Sequence, residues 1–258
     1  MRVHYMNGAG NDFMVMDARD QKLDFSSLAI KLCKLTGADG FMAIDHSECA
    51  DFRLHFYNSD GSRGEMCGNG ARCICRYAYE LGIAGENMVV QTDAGAVAGQ
   101  RISESIYRIA LNLPSVLDLK RLPDAAYVEL GQPGCPHSVT EIPGLTWDMR
   151  EQLRDFANNM RHNTAFPKGA NANFYTWLDD TTIRILTFER GVEDYTLACG
   201  TGSGSAAVVL WKAGKLPGGK LTVKNPGGDL TVTVQAEGET ITSLLLEGPT
   251  AIENILEI

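Results

Sequence analysis

The sequence carries two related glycine-rich turns, Glu65-Met66-Cys67-Gly68-Asn69-Gly70-Ala71 and Leu197-Ala198-Cys199-Gly200-Thr201-Gly202-Ser203. Both follow the pattern x-x-Cys-Gly-polar-Gly-small, and the two cysteines are 132 residues apart (199 − 67), about half of the 258-residue chain. A second echo pairs residues 10–13 with residues 170–174. A duplicated domain with two related sites that face each other explains both echoes.

Each turn is predicted to join a strand to a helix. These helices are expected at Gly70–Leu81 and Gly202–Ala213, with a glycine placed to end each one, and two more at Ser27–Thr36 and Asp148–Asn158. Runs rich in β-branched and aromatic residues predict the strands. The predicted strands are Val3–Asn7, Phe13–Asp17, Phe41–Ile44, Phe52–Asn58, Met88–Thr92, Ala96–Gln100, Ile106–Leu113, Tyr127–Leu130, Ser138–Glu141, Ala172–Trp177, Thr182–Phe188, Lys220–Lys224, Leu230–Gln235 and Thr240–Leu246.

This order of elements predicts a β-rich α+β fold, because the regular βαβ rhythm of a nucleotide-binding sheet is missing. The proline-bounded stretch Pro114–Pro123 is predicted to be the domain boundary. We therefore expect an N-terminal domain over residues 1–115 with the first cysteine, and a C-terminal domain over residues 116–247 with the second.

Composition and charge exclude several classes of function. The net charge of −9 (23 basic and 32 acidic residues) argues against a nucleic-acid or anionic-membrane partner. No stretch approaches the roughly 18 apolar residues that span a bilayer, and the N-terminus lacks the apolar region of a secretion signal. A cytoplasmic location is therefore expected. Seven cysteines in such a chain favour individual thiols over a disulfide framework.

The predicted position of Cys67 and Cys199 at helix N-termini has two chemical consequences. The positive end of the helix dipole is expected to lower the thiol pKa, so that thiolate forms near neutral pH. The first-turn amides can also bind a substrate carboxylate. The residues expected to supply those amides are Gly68, Asn69, Gly200 and Thr201.

Two such cysteines predict a two-base reaction at one α-carbon. One thiolate removes the α-proton while the opposite thiol donates a proton to the other face. The same amides stabilise the carbanion as an enediolate, so neither pyridoxal phosphate nor a metal is required. A non-catalytic amino-acid binding protein is the alternative from another class, but binding alone needs neither thiol.

The remaining cysteines favour plainer interpretations. Cys33, Cys49, Cys73 and Cys75 are each expected to be small buried hydrophobic residues. A disulfide between the two turn cysteines would represent an inactivated form. A zinc site is disfavoured, because no cysteine or histidine pair has ligand spacing.

Other polar residues are predicted near the two turns. Arg190 is suited to a bidentate carboxylate contact and Glu189 to an ammonium group, although a surface salt bridge between them is equally consistent with their spacing. Asn58 ends a strand nine residues before the first turn cysteine (67 − 58). His137 is either a loop histidine bonded to backbone or a group near the thiols.

Six motifs occur in one order over almost the whole chain: Asn7–Phe13 (NGAGNDF), Asn58–Gly61 (NSDG), Glu65–Cys73 (EMCGNGARC), Pro167–Asn171 (PKGAN), Glu189–Gly191 (ERG) and Ala198–Gly202 (ACGTG). In these motifs the chain resembles the diaminopimelate epimerase family. The resemblance implies a cofactor-independent, two-cysteine isomerase, usually a homodimer, that takes diaminopimelate from the LL to the meso form. It also implies two pseudo-symmetric domains, each with mostly antiparallel β-structure around a central helix, and a segment Gly248–Ile258 that packs on the first domain.

By this resemblance, Cys67 and Cys199 are the acid/base pair and Asn11 lies near the reacting stereocentre. The residues implied to bind the reacting carboxylate are Gly68, Asn69, Gly200 and Thr201. The residues implied to bind the distal amino-acid end of the substrate are Asn58, Asn171, Glu189 and Arg190. His137 matches the motif as a possible further site residue.

Three positions depart from the family pattern. Asn7 stands where histidine is usual, Gly40 where glutamine commonly follows aspartate, and Cys135 where asparagine precedes Pro-His. The loss of these polar groups is consistent with a substrate that carries a different side chain. The alternative activity is therefore racemisation of another amino acid, histidine first, by the same two-cysteine chemistry.

Overall fold

Two helices of 13 residues, Gly68–Glu80 and Gly200–Lys212, begin directly after Cys67 and Cys199. Each helix starts two residues earlier than predicted, so that the cysteine becomes the N-cap residue. These positions come from a computed structural model that describes residues 1–64 and 66–257. Glu65 of the first turn and Ile258 of the predicted C-terminal segment lie outside the described residues.

The chain divides into two units. The first unit is Met1–Ala110 together with the C-terminal residues from Glu247, and the second is Leu111–Leu246. The elements of the first unit are β1 (Arg2–Gly8), β2 (Asn11–Asp17), α1 (Phe25–Thr36), β3 (Gly40–Asp45), β4 (Phe52–Asn58), β5 (Arg63–Gly64), α2 (Gly68–Glu80), β6 (Asn87–Thr92), β7 (Gly95–Arg101), β8 (Ile106–Ala110) and β18 (Ala251–Glu257).

The strands of the first unit pair in the order β18–β1–β2–β3–β4–β6–β7–β8. Neighbours are antiparallel except for β2–β3 and β4–β6, which are parallel and are connected through α1 and α2. The two-residue strand β5 pairs with the end of β4, directly before the first cysteine turn.

The second unit has its own set of elements: β9 (Pro114–Leu122), β10 (Ala125–Leu130), β11 (Cys135–Glu141), a short 3-10 helix (Trp147–Arg150), α3 (Arg154–Arg161), β12 (Asn171–Asp179), β13 (Thr182–Glu189), β14 (Asp194–Thr196), α4 (Gly200–Lys212), β15 (Lys220–Asn225), β16 (Gly228–Glu237) and β17 (Thr240–Pro249), whose last residues belong to the first unit. The stretch expected to separate two domains is thus strand β9. A proline is tolerated there because it is the first residue of the strand.

The second unit repeats the topology of the first. Its strands pair in the order β9–β10–β11–β12–β13–β15–β16, with β14 on β13. The parallel pairs are β11–β12 and β13–β15, which are connected through α3 and α4. The predicted α+β fold and its duplication are therefore confirmed.

The second sequence echo, however, is wrong. Asn11 begins β2, whereas Asn171 begins β12, which is the topological counterpart of β3. The counterpart of β2 is β11, and its first residue is Cys135. The echo failed because a short motif of asparagine and phenylalanine recurs at strand starts without marking equivalent strands.

The central helix of each unit is enclosed by strands, as predicted. Ten of the 13 residues are buried in α2 and again in α4. Helix α2 packs against β1, β2, β3, β7 and β8, and α4 against β9, β10, β11, β12, β15 and β16. Glycine, alanine and cysteine fill six of the 13 positions of α2, and glycine, serine and alanine fill seven of the 13 positions of α4.

The outer helices also differ from their predicted bounds. Helix α1 starts at Phe25 because the side chain of Asp24 accepts a hydrogen bond from the Ser27 amide. The predicted helix Asp148–Asn158 is wrong as a single element. Its start forms a 3-10 turn in which the Met149 amide bonds Thr146 O at 3.2 Å, and α3 follows only from Arg154. Among the described residues, no helix is long and apolar enough to cross a membrane.

Candidate active site

The first cysteine turn leads from the short β4–β5 hairpin into α2. Cys67 is the N-cap, with an extended backbone (φ −125°, ψ 124°), and its carbonyl accepts the first helical hydrogen bond from the Ala71 amide at 2.7 Å. Its side chain is half-buried, whereas Gly68 and Asn69 are buried. Amides in the first turn of a helix have no intrahelical acceptor, which is the arrangement that binds anions.

The second cysteine turn has the same backbone and a more buried sulfur. Cys199 is the N-cap of α4 (φ −115°, ψ 110°) and is only 5% exposed. The Gly202 amide donates to Cys199 Sγ at 3.3 Å, and Thr201 Oγ1 lies 3.5 Å from the same sulfur. A Cβ at position 202 would clash with Asn173 Oδ1, so only glycine fits there.

The predicted lowering of the thiol pKa is wrong for Cys199. Burial raises the pKa of Cys199 well above its ordinary value, and the Glu189 carboxyl raises it further. The hydrogen bonds from Thr201 and the Gly202 amide act in the opposite direction but are smaller. The desolvation of a nearly inaccessible sulfur therefore exceeds the effect of the helix end, and this thiol stays protonated at neutral pH.

A side-chain network supports the first turn. Asn69 Nδ2 donates to Asn11 Oδ1 at 2.6 Å, and Asn11 Nδ2 donates to Asp39 Oδ2 at 3.2 Å. On the other side, Arg72 donates to Asn69 Oδ1 at 2.9 Å and to Gly68 O at 3.3 Å. The structure thus brings the predicted residues Asn11 and Asn69 together.

Sequence reasoning missed Arg72. The residue lies within the quoted motif Glu65–Cys73, and its guanidinium is fully buried in α2. A buried guanidinium is costly unless its donors are used; Nη1 and Nη2 of Arg72 bond Gly68 O and Asn69 Oδ1, whereas its Nε has no hydrogen-bond partner among the described residues. An arginine five residues after the cysteine, inside a helix predicted to be central, was the available signal.

Asn58 ends β4 and is exposed. Its Nδ2 donates to Ser62 Oγ at 2.9 Å within the turn to β5. It also pairs with Gly40 across the β3–β4 ladder, next to the Asp39 that binds Asn11. The structure therefore places Asn58 at the same end of the strands as the first turn.

The predicted distal-binding residues of the second unit also lie together. The backbone amide of Arg190 donates to Asn171 Oδ1 at 2.8 Å, which links the end of β13 to the start of β12. The Arg190 side chain is exposed, and its Nη1 lies 3.4 Å from Lys168 O. Burial raises the pKa of Glu189. No ion pair between Glu189 and Arg190 is found among the described residues, so the surface salt-bridge interpretation is wrong.

His137 lies on β11 and not in a loop, and it is fully buried. Burial lowers the pKa of His137 to about 3, with a smaller contribution from Arg190, so the imidazole is neutral at physiological pH. Its Nε2 lies 3.4 Å from Cys135 Sγ and its Nδ1 lies 3.2 Å from Asn173 Nδ2. The histidine therefore belongs to the neighbourhood of the second turn.

The three departures have different structural settings. Asn7 closes the β1–β2 turn, donating to Asp12 Oδ1 at 2.8 Å and accepting from the Gly10 amide at 3.1 Å. A Cβ at Gly40 would lie 2.8 Å from Phe56 Cε2, so the phenyl ring already occupies the space of a side chain. Cys135 lies in the second site itself, with Asn171 Nδ2 at 3.6 Å from its sulfur.

Four cysteines were expected to be buried, and three of them, Cys33, Cys73 and Cys75, are buried. Burial raises the pKa of Cys33 to about 11 and the pKa values of Cys73 and Cys75 to about 12. The prediction is wrong for Cys49, which is exposed in the turn that follows β3. Its Sγ lies 3.7 Å from Ser47 Oγ.

Comparison with known proteins identifies relatives over most of the chain. A sequence model of the family described as diaminopimelate epimerase matches residues 3–104 and 131–251. A diaminopimelate epimerase from Chlorobaculum tepidum is 34% identical over 251 residues, which cover 95% of this chain and 96% of that protein. A diaminopimelate epimerase from Aquifex aeolicus is 34% identical over 245 residues, covering 87% of this chain and 86% of that protein.

Solved structures share the fold at low identity. A PhzF-family phenazine biosynthesis protein from Bacillus anthracis superimposes with a TM-score of 0.77 at 15% identity, over 100% of this chain and 98% of that one. A hydroxyproline epimerase from Agrobacterium vitis superimposes with a TM-score of 0.65 at 15% identity, over 99% of this chain and 91% of that one. At such identities the likeness establishes the fold alone.

Proposed function

The chain belongs to the diaminopimelate epimerase family, and we propose that it inverts the α-carbon of diaminopimelate, from the LL to the meso form, by two-base chemistry at Cys67 and Cys199. The class of enzyme is therefore an isomerase. The observation that carries the proposal is the repeated cysteine N-cap: each unit presents one thiol at the N-terminus of its buried central helix.

Carboxylate binding follows from the two helix ends. The first-turn amides of Gly68 and Asn69 in one unit, and of Gly200 and Thr201 in the other, are donors suited to a carboxylate. When the α-proton leaves, negative charge moves onto that carboxylate as an enediolate. The same donors then bind it more strongly than the ground state, which lowers the barrier to proton removal.

The two thiols differ in their resting protonation. Burial and the Glu189 carboxyl favour the protonated form of Cys199, which supports Cys199 as the first proton donor and Cys67 as the first acceptor. In this step the Cα–H bond breaks and a proton passes to Cys67 Sγ. The S–H bond of Cys199 breaks as its proton forms the new Cα–H bond on the opposite face. The reverse reaction exchanges the two roles.

The far end of the substrate is assigned to polar groups near the two turns. Arg190 is exposed and suits a distal carboxylate, whereas Glu189 suits the distal ammonium. The Asn171 side chain supports this part of the site by accepting from the Arg190 amide. Asn58 completes the set.

The family resemblance supports a homodimer. No cofactor is needed for the reaction, because the two thiols supply the acid and the base and the helix amides supply the oxyanion donors. Both thiols must remain reduced to work, which favours a reducing compartment such as the cytoplasm. The partner is a small amino acid.

A racemase for another amino acid is the second candidate, because Cys135 puts a weakly polar sulfur beside Asn171 where an amide is usual in the family. Incorporation of solvent deuterium at Cα, measured by mass spectrometry, distinguishes the two. The panel is diaminopimelate, histidine, lysine and glutamate. We expect deuterium exchange at Cα of diaminopimelate and little exchange with the other amino acids. Exchange with histidine alone would contradict the diaminopimelate assignment and favour a histidine racemase.

A further inference from the structure

Glu193 closes the turn that carries Glu189 and Arg190. Its backbone amide donates to Glu189 O at 2.8 Å, and its carboxylate oxygen Oε1 accepts from the Gly191 amide at 2.9 Å. The backbone of Glu193 lies in the left-handed region (φ 57°), which is unfavourable for a residue other than glycine. Such a conformation persists only where the surrounding contacts determine it, and it is common at functional sites. The conformation of the turn therefore depends on what holds the Glu193 side chain.

Arg161, the last residue of α3, holds that side chain. Its Nε and Nη2 donate to the same carboxylate oxygen of Glu193, Oε1, at 3.0 and 2.9 Å. The Arg161 side chain is only 14% exposed and that of Glu193 is 43% exposed, so solvent screens the pair only in part. The other carboxylate oxygen faces His162 Nε2 at 3.6 Å, which is beyond hydrogen-bond distance. Arg161 therefore fixes the Glu193 carboxylate with two charge-assisted hydrogen bonds.

Arg161 also contacts the loop that leads into Asn171. Its carbonyl accepts from the Ala170 amide at 3.1 Å. Gly169 has a φ of 64°, and a Cβ at this position would clash with Arg161 Nη1, so the loop backbone lies directly against the guanidinium. The loop and the turn meet again where the Arg190 amide donates to Asn171 Oδ1 at 2.8 Å. One arginine thus joins the two segments that carry the predicted distal-binding residues of this unit.

We propose that Arg161 is a positioning residue, which acts through Glu193 to hold the turn that presents Arg190 to the distal end of the substrate. The distal roles of Glu189 and Arg190 rest on the proposed function. The contacts that Arg161 makes with the turn and with the loop do not depend on the substrate.

Steady-state kinetics of Arg161→Gln with diaminopimelate tests the proposal. The distal end of the substrate is remote from the reacting α-carbon, so its contacts are alike in the ground state and the transition state, and their loss raises KM. We expect KM to rise about fivefold or more, as for the loss of a partly exposed, charged hydrogen bond, and kcat to change by less than about twofold. Arg161→Lys keeps the positive charge and a donor, and it should restore most of the wild-type KM.

Arg154→Gln is the matched control. Arg154 begins the same helix and pairs at 3.0 Å with Asp194, the residue after Glu193. Asp194 belongs to β14 and not to the turn. Both variants therefore remove an arginine–carboxylate pair from α3, but only Arg161→Gln releases the turn. We expect a wild-type KM in Arg154→Gln, and an equal rise of KM in both variants would overturn the proposal.

Amide hydrogen exchange followed by NMR provides a measurement that does not require turnover. The amides of Gly191 and Glu193 donate the two hydrogen bonds that close the turn. Both amides should exchange faster in Arg161→Gln than in the wild type, because local opening becomes easier when the Glu193 carboxylate is released. Arg154→Gln should leave their exchange unchanged.

An unchanged KM in folded Arg161→Gln would overturn the proposal. A lower kcat at the wild-type KM would also overturn it, because a partial loss of folded enzyme gives that result. If Arg161→Gln fails to fold, Glu193→Gln takes its place, with the same expected rise of KM and the same contradicting results. A wild-type protein without diaminopimelate turnover would refute the proposed function alone. Hydrogen exchange then decides this inference: faster exchange in Arg161→Gln supports it, and unchanged exchange overturns it.

Discussion

Asn69 donates a hydrogen bond of 2.6 Å from its side-chain amide to Oδ1 of Asn11, a residue 58 positions earlier in the chain. The orientation of the Asn69 amide is determined from both sides, because Arg72 can only donate and approaches Asn69 Oδ1 at 2.9 Å. The nitrogen must therefore face Asn11. A buried guanidinium thus fixes the polar side chain that follows Cys67 in the first turn.

The first prediction concerns the cysteine pair. Cys67→Ala and Cys199→Ala are each expected to abolish net inversion, because each variant leaves one face of the α-carbon without its proton donor or acceptor. Chiral analysis of the product measures inversion, with Cys49→Ser as the control that should keep turnover. Near wild-type inversion in either alanine variant would contradict two-base chemistry.

The second prediction concerns Arg72. Arg72→Gln is expected to reduce kcat/KM by about tenfold or more, since a hydrogen bond from a charged group contributes about 1.5–3 kcal/mol. Steady-state kinetics should be measured together with the thermal unfolding midpoint, because the loss of kcat/KM should appear in a variant that is still folded. Arg76→Gln, one turn further along α2, is the matched control, and its side chain bonds Thr250 O. Unaltered kinetics in folded Arg72→Gln would mean that Asn69 needs no such support.

The third prediction separates the possible substrates. If the natural substrate has a distal carboxylate, Arg190→Ala is expected to lower kcat/KM for diaminopimelate. The expected loss corresponds to about 2–5 kcal/mol of binding free energy in the transition state. Turnover of a monocarboxylate analogue should barely change. For an imidazole or amine side chain, Glu189→Gln should cost more than Arg190→Ala. Histidine-specific activity that survives Arg190→Ala would end the diaminopimelate assignment.

The fourth prediction uses the buried His137. Its pKa is about 3 in the folded protein against an ordinary value of 6.5. Between these values only the unfolded chain binds the proton, so the free energy of unfolding falls as the pH decreases from 6.5 toward 3. At about pH 5 the loss relative to neutral pH is about 2 kcal/mol.

Urea unfolding at the two pH values measures this contribution. His137→Gln should be less stable at neutral pH but lose less on acidification than the wild type. The exposed His46→Gln is the control and should retain the wild-type pH dependence. An identical acid dependence in His137→Gln and wild type would show that this imidazole is not buried in neutral form.

Local chemistry determined much of this protein from the sequence alone. The two Cys-Gly-x-Gly turns predicted the central helices and the duplication, because a polar residue and glycines before a run of small residues are typical of a helix start. The strand Phe52–Asn58 was predicted with its observed bounds, since its alternating apolar residues suit one buried face. The same turns identified Cys67 and Cys199 as the candidate acid/base pair.

Tertiary structure decided what depends on burial and on contacts between distant residues. The raised pKa of Cys199 follows from desolvation and from Glu189, neither of which can be read from a helix N-terminus. The correspondence of Cys135 with Asn11 required the strand pairing, because residue similarity had matched Asn11 with the start of the wrong strand. Sequence patterns report the local backbone, whereas the protonation and orientation of a site residue are set by all the groups that surround it.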